Sequence, residues 1–224
     1  MKASLAKGEL GNFLKKQLEF YIPDGYMVHD DYWLEAITIA LDRCDNCFKH
    51  ILMPGYRDEK GESLFSHLHR DQYATFLYFL SNTIWTDYHD KQICDKLLNL
   101  QSILHGIFLS YKCEMPNIFL FSHPIGTIIG NAKYSDGLYI GHNVTVNTKS
   151  DLRIGKLCAL LPGATICGNE PIGDRVSIGV NVTVYNKKIE DNSVVYNEDG
   201  KMKIRPCLKE KCWSEEKFDI SPYV

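Results

Sequence analysis

The sequence predicts an α+β chain, with an N-terminal α-helical domain followed by a C-terminal parallel β-helix of hexapeptide repeats. Three observations carry that expectation. Apolar residues in the first half recur at three- and four-residue spacings, as on one face of a helix. After Pro116 the apolar period becomes six, and from Ile154 to Val184 the hexads run in register without a break.

The first helix to read clearly starts at Asp31, where DYWLEAITIALDRCDNCFKHIL places Trp33, Leu34, Ile37, Ala40, Leu41, Cys44 and Phe48 on one face behind an aspartate cap. Ser63 is the expected cap of a second helix, LFSHLHRDQYATFLYFLSNTIW, with Leu64, Leu68, Tyr73, Phe76, Leu77 and Leu80 forming a broad apolar face. Asp90 is the expected cap of a third, carrying Ile93, Leu97, Leu100, Leu104 and Phe108 along one stripe. The intervening MPGYRDEKGES is a loop by its Pro, Gly and charge content.

In the second half Ile128, Tyr134, Ile140 and Val146 stand six apart, and after a two-residue insertion the lattice resumes at Ile154, Leu160, Ile166, Ile172, Ile178 and Val184. Glycines follow several of these positions (Gly141, Gly155, Gly173, Gly179), and small or β-branched residues recur four places on. In a parallel β-helix one residue per short strand points into a narrow prism, and each turn needs residues that tolerate unusual backbone angles. The expected division is residues 1–116 as the helical domain, 117–204 as the β-helix and 205–224 as a tail holding Trp213 and Tyr223. A prism with flat faces suits threefold packing, so a homotrimer or a multiple of trimers is expected.

A net charge of −3 gives no electrostatic footprint for nucleic acid or an anionic membrane. The segment MKASLAKGELGNFLKKQLEF lacks the apolar core of a signal peptide and no later run reaches a membrane span, so a cytoplasmic protein with reduced cysteines is expected. Cys44 and Cys47 form the single CxxC, which reads more simply as two positions of an amphipathic helix than as a zinc or redox site. His67 and His69 lie two apart on different helix faces, a poor spacing for a metal, and no metal is expected.

Two segments carry a family resemblance. HPIGTIIGNA, His123 to Ala132, is similar to the His-x-x-Gly-x-[Ile/Val]-x-Gly segment of the serine acetyltransferases, with Gly126, Ile128 and Gly130 in place. LRIGKLCALLPGATICGNEPIGDRVSIGVNVTV resembles their last coils, including Gly163, Ala164, Ile166, Gly168 and Asn169. More broadly the pattern resembles the left-handed β-helix acyltransferases that use acetyl-CoA. DQYATFLYFLSNTI together with HPIGTIIGNAKYSD resembles serine-acetyltransferase-like proteins of surface-polysaccharide synthesis, which implies a sugar hydroxyl as an acceptor beside serine. Two departures stand out. Ser122 precedes the histidine where the serine enzymes carry aspartate, and NTKSDLRIG, with Arg153, stands in place of their Asp-Arg-His-Pro.

The resemblance implies an acetyl-CoA-dependent O-acetyltransferase with His123 as general base and a small-molecule acceptor, sugar or amino acid. His142, at a turn about one coil on, is the second candidate for a catalytic or acceptor-binding role. Asp71 and Glu114 are the carboxylates expected to orient His123 or meet the acceptor, with Arg153 beside it. Acetyl-CoA is expected along a groove between subunits at Gly163, Ala164, Ser177, Gly179 and Asn181, with Lys187 or Lys188 near its phosphates. No nucleophilic serine or cysteine motif stands out, which fits direct transfer. The alternatives are N-acetylation of an amino-sugar and a non-catalytic trimeric scaffold.

Overall fold

The computed structural model describes residues 1–147 and 152–220. Strand β1 (Lys2–Ala3) opens the chain, followed by helices α1 (Lys7–Tyr21) and α2 (Asp30–Phe48), strand β2 (Leu64–Phe65), and helices α3 (Arg70–Thr83) and α4 (Lys91–His105). Helix α3 passes into one π-helical turn, Ile84–Tyr88. It is the axis of this half: every residue from Asp71 to Ser81 is buried, and it packs against both α2 and α4. Helix α4 starts where the Asp90 side chain accepts the Ile93 N–H at 3.1 Å and stops at Gly106, whose φ of +66° suits glycine.

Ser63 does not cap α3. Its hydroxyl donates to Asp45, while Leu64 and Phe65 are drawn into a parallel pairing with Lys2 and Ala3. The helix begins only at Arg70, so Leu68 falls outside it and is exposed. Leu34 also points outward, and Phe108 lies beyond the end of α4 on the outside of a strand. The CxxC cysteines are buried in α2; the Cys47 thiol donates to the Phe119 carbonyl at 3.1 Å, and burial pushes its pKa up to about 12.

The rest is a β-solenoid of about four turns with three faces. The first face orders β4 (Phe119–Phe121), β7 (Leu138–Ile140), β10 (Ala159–Leu160), β12 (Ser177–Ile178) and β14 (Ser193–Glu198), closed by the antiparallel β15 (Lys201–Pro206). The second orders β3 (Ile107–Leu109), β5 (Thr127–Ile129), β8 (Thr145–Asn147), β11 (Thr165–Cys167) and β13 (Thr183–Tyr185). On the third, β6 (Lys133–Tyr134) pairs with β9 (Arg153–Ile154), and single bridges continue from Ile154 to Ile172 and Ile189. This is the left-handed parallel β-helix that the hexads implied, entered directly from α4 through β3.

The lattice residues Tyr134, Ile140, Val146, Ile154, Leu160, Ile166, Ile172, Ile178 and Val184 are all buried. Ile128 departs from the expected register: it is 48% exposed, and Ile129, 1% exposed, takes the inward place opposite Val146. The reason is local. Phe121 pairs with Ile140 and Ile129 with Val146, so the first coil carries two more residues across this corner than the second.

The tail straps the molecule. After the β14–β15 hairpin, the Ser214 hydroxyl donates to the Gly137 carbonyl and Arg175 pairs with Glu215. Phe218 then bridges Ile51, while the Leu52 N–H donates to the Lys217 carbonyl at 2.8 Å, tying the last coil back to the helical half.

Candidate active site

The corner between the first and second faces repeats in each coil. Backbone bonds from Asn143 to the Ile125 carbonyl, Gly163 to His142 and Asn181 to Pro162 stack the turns in register. The column Gly126, Asn143, Gly163, Asn181 has φ of +75°, +53°, +74° and +54°, so each turn uses a left-handed residue. At Gly163 glycine is required twice over, because a methyl group there would also collide with the Asn181 side-chain amide of the next coil.

His123 and Pro124 are the residues that the longer first corner adds. His123 has φ of +52°, a conformation that is costly for a non-glycine residue and tends to mark a functional site. The helical half holds it there. Its backbone N–H donates at 3.2 Å to Oδ2 of Asp71, and its Nδ1 lies 3.6 Å from the same oxygen. Asp71 sits in the first turn of α3, where the positive end of the helix favours a carboxylate. Asp71 is 5% exposed, whereas the His123 side chain is 82% exposed.

The geometry divides the imidazole into two ends. With Nδ1 turned to the carboxylate, the neutral tautomer carries its proton there and presents Nε2 as a proton acceptor. The 3.6 Å separation is longer than a hydrogen bond. Oδ1 of Asp71 is buried with no hydrogen-bond partner among the described residues.

His142 is exposed on the same corner one coil on, stacked over Ile125 and therefore about 4.8 Å further along the prism. The fold thus brings Asp71 to His123 and sets His142 on the same corner one coil on. Glu114 is exposed in the segment after Tyr111 and shares no hydrogen bond or ion pair with His123 among the described residues. Arg153 is exposed on the third face, away from this corner, and Thr148 to Asp151, which precede it, lie outside the described residues.

Of the residues expected to meet acetyl-CoA, Gly163, Gly179 and Asn181 line the corner and Ser177 is buried on the first face. Ala164 is fully buried. The turn amides are already used: the N–H groups of Gly163, Ala164, Gly179 and Asn181 each bond to a carbonyl within the prism. A ligand along this corner would meet small side chains rather than free amides. Lys187 and Lys188 are exposed beyond β13, and Lys188 pairs with Glu190 at 3.0 Å.

Three neighbours of the corner were not singled out from sequence. Tyr56 is buried in electrostatic range of Asp71. Arg70 precedes Asp71, and its charge acts on His105, which is buried with both ring nitrogens unpaired among the described residues and its ring 5.7 Å from that of Tyr73. Burial lowers the His105 pKa to about 4. The position of His105 as the last residue of α4 signals a cap, and nothing in the sequence signals that it is enclosed.

Comparison with solved structures finds the same architecture in serine acetyltransferases. A serine acetyltransferase solved in complex with cysteine aligns at a TM-score of 0.68 and 17% identity, covering 95% of this chain and 84% of that one. The serine acetyltransferase of Vibrio cholerae O1 biovar El Tor N16961 aligns at 0.67 and 19%, covering 93% and 83%. Another, solved in complex with CoA, aligns at 0.63 and 18%, covering 89% and 84%. No protein-family model and no curated protein matches the chain.

Proposed function

We propose that this chain transfers an acetyl group from acetyl-CoA directly to the hydroxyl of a small acceptor, with His123 as general base. One observation carries the reading: an exposed imidazole, held in a left-handed backbone by a buried carboxylate, stands at the first coil of a prism shared with acetyl-transferring enzymes. Nε2 takes the acceptor's hydroxyl proton as the oxygen attacks the thioester carbonyl. The C–S bond then breaks, and the CoA thiolate leaves with the proton that the imidazolium returns. Asp71 fixes the tautomer and offsets the charge on the imidazolium.

His142, about one coil away, contacts the acceptor. Gly163, Gly179 and Asn181 leave room for the pantetheine arm along the corner. The acceptor is a sugar or serine, and an amino-sugar nitrogen would use the same base. The assembly is a homotrimer or a multiple of one, closed over the second face, where Phe108 and Ile128 are exposed beside the threonine row Thr145, Thr165 and Thr183.

The test is thiol release from acetyl-CoA over a panel of serine, amino-sugars and nucleotide-sugars. Turnover with a hydroxyl acceptor is expected. Turnover restricted to amine acceptors would move the reaction to N-acetylation, and none with any acceptor would leave the scaffold reading. Light scattering at the 25.7 kDa monomer mass would count against the trimer.

A further inference from the structure

We propose that the C-terminal tail closes a pocket for the nucleotide end of the acyl donor, an inference that rests on the acetyl-CoA reading above. A cavity of about 290 Å3 opens between the first face and the tail. Leu161, Ser177 and Val194 form its prism side, and Arg205, Lys209 and Trp213 its tail side. An aromatic wall beside two cations over an apolar floor is the combination that a nucleoside phosphate needs, since the base stacks and the phosphates pair with charge.

The pocket is held in shape. The Trp213 ring meets Tyr139 edge-on at 6.3 Å and carries Lys217 Nζ at 5.1 Å, so the indole is fixed although 39% exposed, with a third cation nearby. Arg205 lies over the Tyr196 ring at 5.8 Å and has no carboxylate within ion-pairing distance among the described residues. Lys209 reaches Glu216 at 3.4 Å, an exposed and therefore weak pair that a phosphate can displace.

The pocket lies within reach of the corner for the acyl donor. Leu120, two residues before Ser122, aligns in turn with Tyr139, Ala159, Ser177, Val194 and Arg205 across the first face. At about 4.8 Å per strand, Ser177 lies roughly 14 Å and Arg205 roughly 24 Å along the prism from the His123 coil. A pantetheine arm, comparable to about five residues of extended chain, spans roughly 17 Å and can reach from Ser177 to the His123 coil. The nucleotide of coenzyme A sits under the tail with its thioester at the corner, its diphosphate at the near end of the pocket beside Ser177, and Arg205 and Lys209 rather than Lys187 or Lys188 meet its far, adenosine-phosphate end.

The experiment compares acetyl-CoA with acetylpantetheine, which lacks the nucleotide, in the full chain and in an Arg205→Gln/Trp213→Leu variant whose fold is checked by circular dichroism. The wild-type KM for acetylpantetheine should exceed that for acetyl-CoA by about 10- to 100-fold, and the ratio should collapse toward one in the variant. CoA should quench tryptophan fluorescence in the wild type, and Trp213→Leu, which keeps Trp33 and Trp85, should lose most of that quenching. Turnover of acetyl-CoA with the KM ratio unchanged in the variant overturns the pocket and leaves the transferase reading standing. Quenching through Trp213 in a protein that acetylates no acceptor supports the pocket and removes the transferase. Absence of both quenching and turnover sinks the two together.

Discussion

In the prism the buried Thr127 hydroxyl donates to the Gly141 carbonyl at 3.1 Å and the Cys158 thiol to that of Gly173 at 3.1 Å, whereas the helical half buries Asp71, Gln101 and His105 with polar side-chain atoms that meet no partner among the described residues. An unpaired buried polar group costs about 1–3 kcal/mol. Among the described residues the two regions are thus built differently: the prism satisfies itself coil by coil, and the helical half keeps unmet polar groups, among them the carboxylate that faces His123. The repeat is a self-paired scaffold, and the helical half brings the Asp71 carboxylate to His123 at its first coil.

The largest effect that would test this contrast is on stability. Leu160 is fully buried and pairs in register on both sides, so Leu160→Ala should cost about 2–5 kcal/mol in denaturant melts, because a rigid prism collapses poorly around a cavity. A loss below about 1 kcal/mol would mean that the prism is looser than its pairing implies.

The next effect is on pH. His105 is lowered to about 4 in the fold, so it binds its proton more weakly there than in the unfolded chain, where the ordinary value is near 6.5. Stability should therefore fall as pH drops from about 6.5 toward 4, by on the order of 3 kcal/mol from this group. His105→Leu should flatten that part of the curve. An unchanged acid slope would show that another group sets it.

Activity then separates the members of the corner. Asp71→Asn keeps the size of the side chain and removes its charge, and should lower kcat about 10- to 100-fold with the acetyl-CoA KM little moved. Asp71→Glu should recover part of the loss; a purely structural aspartate would show reduced melting temperature without that split. His142→Asn should act mainly on the acceptor, raising its KM severalfold.

The inward column from Tyr134 to Val184 was legible because one residue per strand must fill a narrow prism, and that need imposes a strict period. Ile128 was misread because the two extra corner residues shift the register, and a period says nothing where the count breaks. Ser63 was misread for a similar reason: a good cap residue lost to a strand pairing with the N-terminus, which no local pattern contains. The His-x-x-Gly context marked His123 at the entry to the coils, where the structure places it, and its role as base is the proposal above. Asp71 was one of two carboxylates in view, and only the fold brings it to the histidine from 52 residues away. Arg205, Lys209 and Trp213 form a pocket by the path of the tail, and that path follows from tertiary contacts that leave no periodic trace.

The most direct measurement is acetyl-CoA turnover by His123→Ala beside the wild type, with the preferred hydroxyl acceptor and with folding and CoA binding checked in parallel. The account predicts a fall in kcat of about a hundredfold to ten-thousandfold with CoA binding retained. Near-wild-type turnover by His123→Ala, with His142→Asn inactive, would contradict it.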